Sequence, residues 1–289
     1  MMNGMKQKKL IKKKDWKYLI ICDACRYDYF KKMYTDYLSG KLKKVLSPGS
    51  RTPEWLQRTF KGKKHDDIVY ISPLPGINSK QIETETFQAV DFFHKIIDVW
   101  DWGWDEQSAT VPPENINKAA IEEIESANNK RLVIHYLQPH APYLGYDHEG
   151  GKVSAGKIRR KVKEETVINN VLNWISDKIA EPIFSKCPEW YLIKWRLGYE
   201  LDILSHERPI IRAKRQSDNK KVSLFYKENL KKVLDACRNL INSIPISEDK
   251  KAIVTSDHGE LLGEGGFYGH YPKSNHPILR EVPWLEVTE

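Results

Sequence analysis

Short apolar runs alternate with stretches of helical periodicity along most of the chain. Tyr18-Leu19-Ile20-Ile21-Cys22 is apolar throughout and is followed at once by Asp23. A run this short and unbroken predicts a strand buried on both faces of a parallel sheet, with a carboxylate at its C-terminal end. Residues 44–47, 67–72, 131–137, 251–255 and 281–287 predict further strands, and residues 27–37, 114–128 and 223–242 predict helices. In Ser47-Pro48-Gly49-Ser50-Arg51-Thr52-Pro53-Glu54, small residues precede a helix start, with Thr52 as N-cap and Pro53 in the first turn. Residues 81–105 end in Trp100-Asp101-Trp102-Gly103-Trp104 and read as a packed loop, an aromatic substrate wall being the alternative. Residues 150 to about 235 differ in texture. They are basic, contain tryptophan and lack clear strands, which predicts a helical insertion. Strands alternating with helices define an α/β fold, a mostly parallel sheet between helices, in a single domain over residues 1–289. Function in such a sheet is expected at the strand C-termini.

The bulk numbers agree with one such domain: 289 residues, 40% hydrophobic and 30% charged. The formal net charge is +8, and much of the excess is local. Lys6, Lys8, Lys9, Lys12, Lys13 and Lys14 form one cluster; two more fall at 157–163 and 212–221. Such clusters attract phosphate on a lipid, a nucleic acid or a small substrate, although a solvated basic surface explains each one alone. No nucleic-acid fold signature is present, so a nucleic-acid partner is not expected. Cys22, Cys25, Cys187 and Cys237 are too few for a disulfide framework, and one CxxC without a second makes no zinc site. Cys22 and Cys25 read as packing residues. No apolar run has the length of a signal or a membrane span. The expectation is a cytoplasmic protein, with peripheral membrane contact left open by the basic N-terminus.

Three chemically distinctive features follow predicted strands: Asp23, His140 and Asp257-His258. A fourth, Thr52 or Ser50, sits at the predicted helix start. In an open α/β sheet they converge on one edge. Carboxylate with imidazole suits a divalent cation. A hydroxyl beside that cation gives up its proton more easily, and a helix N-terminus favours an anion. Arg26 follows Asp23 closely and could grip an anionic oxygen. Each feature has a plainer reading: Asp23 as a helix cap, His140 as a loop histidine, Asp257-His258-Gly259 as a turn, Arg26 as a partner of Asp28. Their joint order favours a site.

The residues Leu19 to Asp28, containing Asp23-x-x-Arg26-x-Asp28, resemble the opening segment of sulfatase-like members of the alkaline phosphatase superfamily. Ser256-Asp257-His258-Gly259-Glu260, with Gly263-Glu264 and Gly269-His270, resembles its second metal segment. His135 to Tyr143 resembles its PHxP segment, and Gly49 to Pro53 falls where its nucleophile belongs. The four segments occur in the family's order and cover about a third of the chain.

The resemblance implies an alkaline-phosphatase-like sandwich with Asp23, Asp257 and His258 holding a divalent metal ion (Zn²⁺, Mn²⁺, Mg²⁺ or Ca²⁺), one ion being preferred. Thr52 would be the nucleophile, with Ser50 as the alternative. His140 would contact the ester, and His270, ahead of His276, would line the site as a substrate-binding or acid group. There is no cysteine in the nucleophile segment, which departs from true sulfatases and moves the expected substrate from sulfate towards phosphate esters. Two-metal relatives carry a D-x-x-x-H pair. Tyr136 stands four before His140 instead, and Asp202-x-x-x-His206 lies in the insertion. The implied activity is a metal-dependent hydrolase or transferase acting on a small-molecule, glycan-linked or lipid-linked anionic ester. The alternative is a non-catalytic relative that binds anionic glycans or lipid headgroups through the basic clusters.

Overall fold

In the computed structural model, the structure describes residues 5–13, 15–80, 89–126, 129–145, 219–248 and 250–288. Most of the expected insertion, with Asp202, His206, Cys187 and the 157–163 cluster, lies outside the described residues. So do residues 212–218 of the third cluster.

The centre is a seven-stranded sheet. Its strands are β1 (Tyr18–Cys22), β2 (Gly40–Leu46), β3 (His65–Ser72), β4 (Phe93–Asp98), β5 (Arg131–Tyr136), β6 (Ala252–Thr255) and, after a short β7–β8 hairpin (Leu261–Leu262 and Tyr268–Gly269), β9 (Glu281–Val287). The order is β2-β9-β6-β1-β5-β3-β4. β1 pairs in parallel with β5 and β6, and β3 in parallel with β4 and β5. β9 alone runs against its neighbours, β2 and β6. Every residue of β1 is buried, as its apolar run requires at the sheet centre.

Helices cover both faces. On one side α2 (Tyr27–Met33), α5 (Pro113–Glu125) and α6 (Asn219–Ser243) pack Phe30, Ile116, Leu230, Leu234 and Leu240 onto Tyr18, Ile20, Ile134 and Val254. On the other, α1 (Gln7–Lys13) and α3 (Thr52–Phe60) pack Ile11, Trp55, Leu56 and Phe60 onto Leu19, Ile21, Val133 and Ile253. Alternate residues of β1 thus face opposite helical layers. Two shorter helices, α4 (Val99–Trp102) and α7 (Pro277–Arg280), follow β4 and precede β9. Cys22, Cys25 and Cys237 are free and buried, in keeping with packing roles.

The expected strands all appear, with two differences at the sheet edges. β2 starts at Gly40, earlier than the pattern indicates, because Lys41, Lys43 and Lys44 give this edge strand a polar texture. β4 stands within the stretch read as a loop. As the opposite edge strand it sets exposed His94 and Lys95 side by side between buried Phe93 and Ile96, a pattern too short and too irregular to announce itself.

Helix α6 also shapes the loop after β5. Asn229 is fully buried. Its Oδ1 accepts from the Leu144 N–H at 2.8 Å, and its Nδ2 faces the Pro139, His140 and Pro142 carbonyls at 3.4, 3.2 and 3.2 Å. Replacing it orphans buried backbone groups on both sides of His140. Asn229→Ala is expected to lower unfolding free energy by about 2–4 kcal/mol, read from urea denaturation.

Candidate active site

The site stands where the chain leaves β1, β5 and β6 and where α3 begins. Beyond β1, Ala24 adopts a left-handed conformation (φ 58°) that is uncommon for a residue with a Cβ. That turn directs the Ala24 N–H to Asp257 Oδ1 at 3.1 Å and the Cys25 N–H to Ser256 Oγ at 2.8 Å. Tyr226 of α6 clasps the same turn, donating to the Ala24 carbonyl at 2.8 Å and accepting from the Arg26 N–H at 2.8 Å. Beyond β6, Gly259 has no room for a side chain: a Cβ there would lie 1.9 Å from the Ile278 carbonyl oxygen. Beneath, the fully buried Gln7 of α1 donates to Thr255 Oγ1 (2.8 Å) and the Ser256 carbonyl (2.6 Å), while its Oε1 accepts from Trp55 Nε1 (2.9 Å). Gln7 therefore ties α1, α3 and the end of β6 together.

Asp23, Asp257 and His258 come together as a buried group with one donor atom each within 4.8 Å of the others. His258 Nε2 lies 3.4 Å from Asp23 Oδ1 and 3.4 Å from Asp257 Oδ2. Thr52 joins them. Its hydroxyl donates to Asp257 Oδ2 at 2.7 Å and lies 3.4 Å from His258 Nε2. The segments that the sequence reading placed in one site thus meet. Thr52 differs from the expected cap in one respect. The N-cap is Arg51, Thr52 is the first helical residue, and no side chain caps the helix. The Thr52 hydroxyl turns to the carboxylate instead of back to its own helix.

The donor set suits a divalent cation. Asp23 Oδ1 is buried without a hydrogen-bond partner. His258 Nδ1 is 2.9 Å from the Gly259 carbonyl, which assigns the ring proton to Nδ1 and leaves the Nε2 lone pair facing two carboxylate oxygens. A lone pair facing carboxylate oxygens needs a proton or a metal cation between them. Burial, with Asp257 and Glu260 nearby, pushes the Asp23 carboxyl well above the usual carboxylate range. Burial would raise Asp257 too, but the His258 and His135 imidazoles, the Thr52 hydroxyl and the Ala24 N–H hold it below its ordinary value. A bound cation would offset the cost of packing such groups together.

A second group adjoins the first. His140, Glu260 and His270 also offer donor atoms within 4.8 Å of one another. His270 Nδ1 is 2.9 Å from Glu260 Oε1, and His140 Nε2 is 3.9 Å from Glu260 Oε2. The His270 ring centroid lies 4.3 Å from that of His258 and 5.3 Å from that of His140. Glu260 was named from the sequence within the second metal segment, without a role. Its position two residues after His258 was the available signal.

Three other residues named from the sequence stand apart from the donor groups. Arg26 spends its guanidinium on Asp28 (2.9 and 2.8 Å), Glu264 (2.5 Å) and the Glu260 carbonyl (3.3 Å). Burial would lower its pKa, but the two carboxylates outweigh burial and keep it charged. It braces the Glu260 loop where an ester-gripping role was expected. Ser50 is fully buried. Its hydroxyl donates to the Tyr271 carbonyl at 2.8 Å and accepts from the Ser274 N–H at 3.1 Å. His276 caps α7, accepting from the Ile278 N–H at 3.2 Å.

His135 and Tyr70 were missed. His135 is fully enclosed, its Nδ1 2.7 Å from the Tyr70 hydroxyl and its Nε2 3.8 Å from Asp23 Oδ2. Burial holds its pKa down to about 4. A histidine directly after the apolar run Leu132-Val133-Ile134, five before His140, was the signal in the sequence.

No protein-family model matches the chain, and no curated protein matches it in sequence. Solved structures do align with it. The soluble domain of lipooligosaccharide phosphoethanolamine transferase A from Neisseria meningitidis aligns at 14% identity and TM-score 0.48, over 93% of this chain and 75% of that one. The C-terminal periplasmic domain of phosphoethanolamine transferase EptC from Campylobacter jejuni aligns at 12% and 0.48, over 93% and 77%. The integral membrane lipooligosaccharide phosphoethanolamine transferase from Neisseria meningitidis aligns at 12% and 0.49, over 99% and 49%. Likeness at this level transfers no substrate and no chemistry. The expectation of a cytoplasmic protein is corrected: the aligned structures are a soluble domain, a periplasmic domain and an integral membrane protein. That expectation rested on the lack of a leader or span, and such a lack assigns no compartment. Among the described residues, no helix is long and apolar enough to cross a membrane.

Ser50→Ala deletes buried hydrogen bonds that tie the Tyr271–Ser274 loop to α3. It is expected to cost about 1–3 kcal/mol of stability, measured by chemical denaturation.

Proposed function

We propose that the protein is a metal-dependent enzyme acting on phosphate esters, with Thr52 as nucleophile. One observation carries this reading: the Thr52 hydroxyl, at the start of α3, donates to Asp257 Oδ2 at 2.7 Å within a buried Asp-Asp-His donor group. Asp23, Asp257 and His258 would hold the cation, with Thr52 beside it. When bound, the ion would lower the hydroxyl's pKa and offset the negative charge gathered in the transition state.

The chain's own residues perform the remaining tasks. The Thr52 oxygen attacks phosphorus as its proton leaves along the existing hydrogen bond towards Asp257. The bond from phosphorus to the leaving oxygen breaks, giving a phosphothreonine. His140 and His270 flank the far side of the site, held by Glu260, and are placed to orient the ester and return a proton to the leaving oxygen. Water or an acceptor hydroxyl then attacks the phosphothreonine. Its proton passes to the histidine that gave one up, the bond from phosphorus to the Thr52 oxygen breaks, and Thr52 takes its proton back from Asp257. The N-terminus of α3 supports the anionic phosphoryl group from below. The substrate proposed is a phosphate ester, soluble or carried on a lipid or glycan. Phosphate is favoured over sulfate because the nucleophile position holds threonine.

The test is hydrolysis of aryl phosphate mono- and diesters by protein loaded with Zn²⁺ or Mn²⁺. Thr52→Ala is expected to lose activity by about three orders of magnitude or more, while Ser50→Ala retains turnover once allowance is made for its lower stability. Asp257→Ala is expected to lose both bound metal and turnover. Metal content unchanged in Asp257→Ala would sink the assignment.

A further inference from the structure

Behind Asp23 lies a polar pair that takes no part in the proposed chemistry. Tyr70 of β3 and His135 of β5 are both fully enclosed, and their side chains meet at 2.7 Å between the Tyr70 hydroxyl and His135 Nδ1. On its other side, His135 Nε2 has no hydrogen-bond partner and lies 3.8 Å from Asp23 Oδ2. The two oxygens of Asp23 are thereby divided. Oδ1 faces His258 and the rest of the donor group at 3.4 Å, while Oδ2 faces His135.

With Asp23 ionised, as holding a cation requires, two proton arrangements are open to a neutral imidazole here. If Nδ1 carried the proton, it would donate to the Tyr70 oxygen and turn a bare Nε2 lone pair towards the Asp23 carboxylate, an arrangement of like charge in an enclosed space. If the Tyr70 hydroxyl donates to Nδ1, the ring proton sits on Nε2 and points at Asp23 Oδ2. The second arrangement satisfies Tyr70 and places a donor against the anion. We infer that His135 is a positioning residue for Asp23. Tyr70 sets its tautomer, and the positive end of its Nε2–H, 3.8 Å away and beyond hydrogen-bond reach, attracts Oδ2 so that Oδ1 is the oxygen offered to the metal. A carboxylate that is free to rotate would present either oxygen, and the entropy lost on ordering it would come out of metal affinity.

This inference rests on the metal-dependent reading of the site, and it is tested by affinity without turnover. Zn²⁺ and Mn²⁺ dissociation constants of metal-stripped protein are measured by competition with a chromophoric chelator. Wild type and Asp257→Ala serve as references, and circular dichroism checks the folding of every variant. Tyr70→Phe, which keeps the ring and its packing, and His135→Leu are each expected to bind metal about 10–100-fold more weakly than wild type. His135→Gln can accept from Tyr70 and donate to Asp23, and is expected to recover most of that loss. Wild-type affinity in folded Tyr70→Phe and His135→Leu would overturn the inference, as would a Gln variant no better than Leu. If His135→Leu does not fold, Tyr70→Phe and His135→Gln decide the matter. A wild type that binds no metal, or an Asp257→Ala that binds as wild type does, would instead remove the reading on which the inference stands.

Discussion

Asp23, Asp257 and Glu260 lie at one edge of the sheet with 3%, 0% and 1% of their surface exposed. Burying an ionised carboxylate costs several kcal/mol unless partners compensate, and burying several together adds mutual repulsion. Much of the local architecture answers that demand. Two backbone N–H groups, from Ala24 and His258, and the Thr52 hydroxyl converge on Asp257. Arg26 grips the Glu260 loop through its carbonyl and through Glu264. Asp23 receives the least: one oxygen has no hydrogen-bond partner and the other faces His135 across 3.8 Å. The compensation is therefore uneven, and the deficit lies where the His258 lone pair and Asp23 Oδ1 face each other.

The same demand accounts for local features that are costly in isolation. Ala24 accepts a left-handed backbone because the turn delivers its N–H to Asp257. Gly259 surrenders side-chain packing because the Ile278 carbonyl comes so close. Gln7, far away in the chain, is drawn into the interior to satisfy the hydroxyl and carbonyl where β6 ends. These are local concessions of the kind found where a site is held rigid by its surroundings.

Much of the sheet and the core of the site were legible in the sequence, and the reason is periodicity. β1, β5 and β6 are central, buried and mostly apolar, so their ends were visible and so were the acids and imidazoles that follow them. The edges were harder. β4 reads as loop because His94 and Lys95 face water and break its pattern, and β2 reads short because of its lysines. At the site, residue type was legible but aim was not. Thr52 and Ser50 lie two apart at the same helix start, and only the fold turns one towards Asp257 and the other towards Tyr271. Arg26 could equally have faced a ligand or a loop. His135, Tyr70 and Gln7 act through contacts distant in sequence, which a single chain read in order does not reveal.

The place of β9 has a consequence for how the molecule comes into being. β2 joins the sheet through β9, its one neighbour in the strand order, and β9 also flanks β6. β2 leads to Thr52, and β6 leads to Asp257. Residues 40–60 therefore leave the ribosome long before the strand that seats them. Until residues 281–287 have been synthesised, β2 has no strand to pair with, and Gln7 and the packing of α3 on the sheet are what can hold the hydroxyl near the acid it faces.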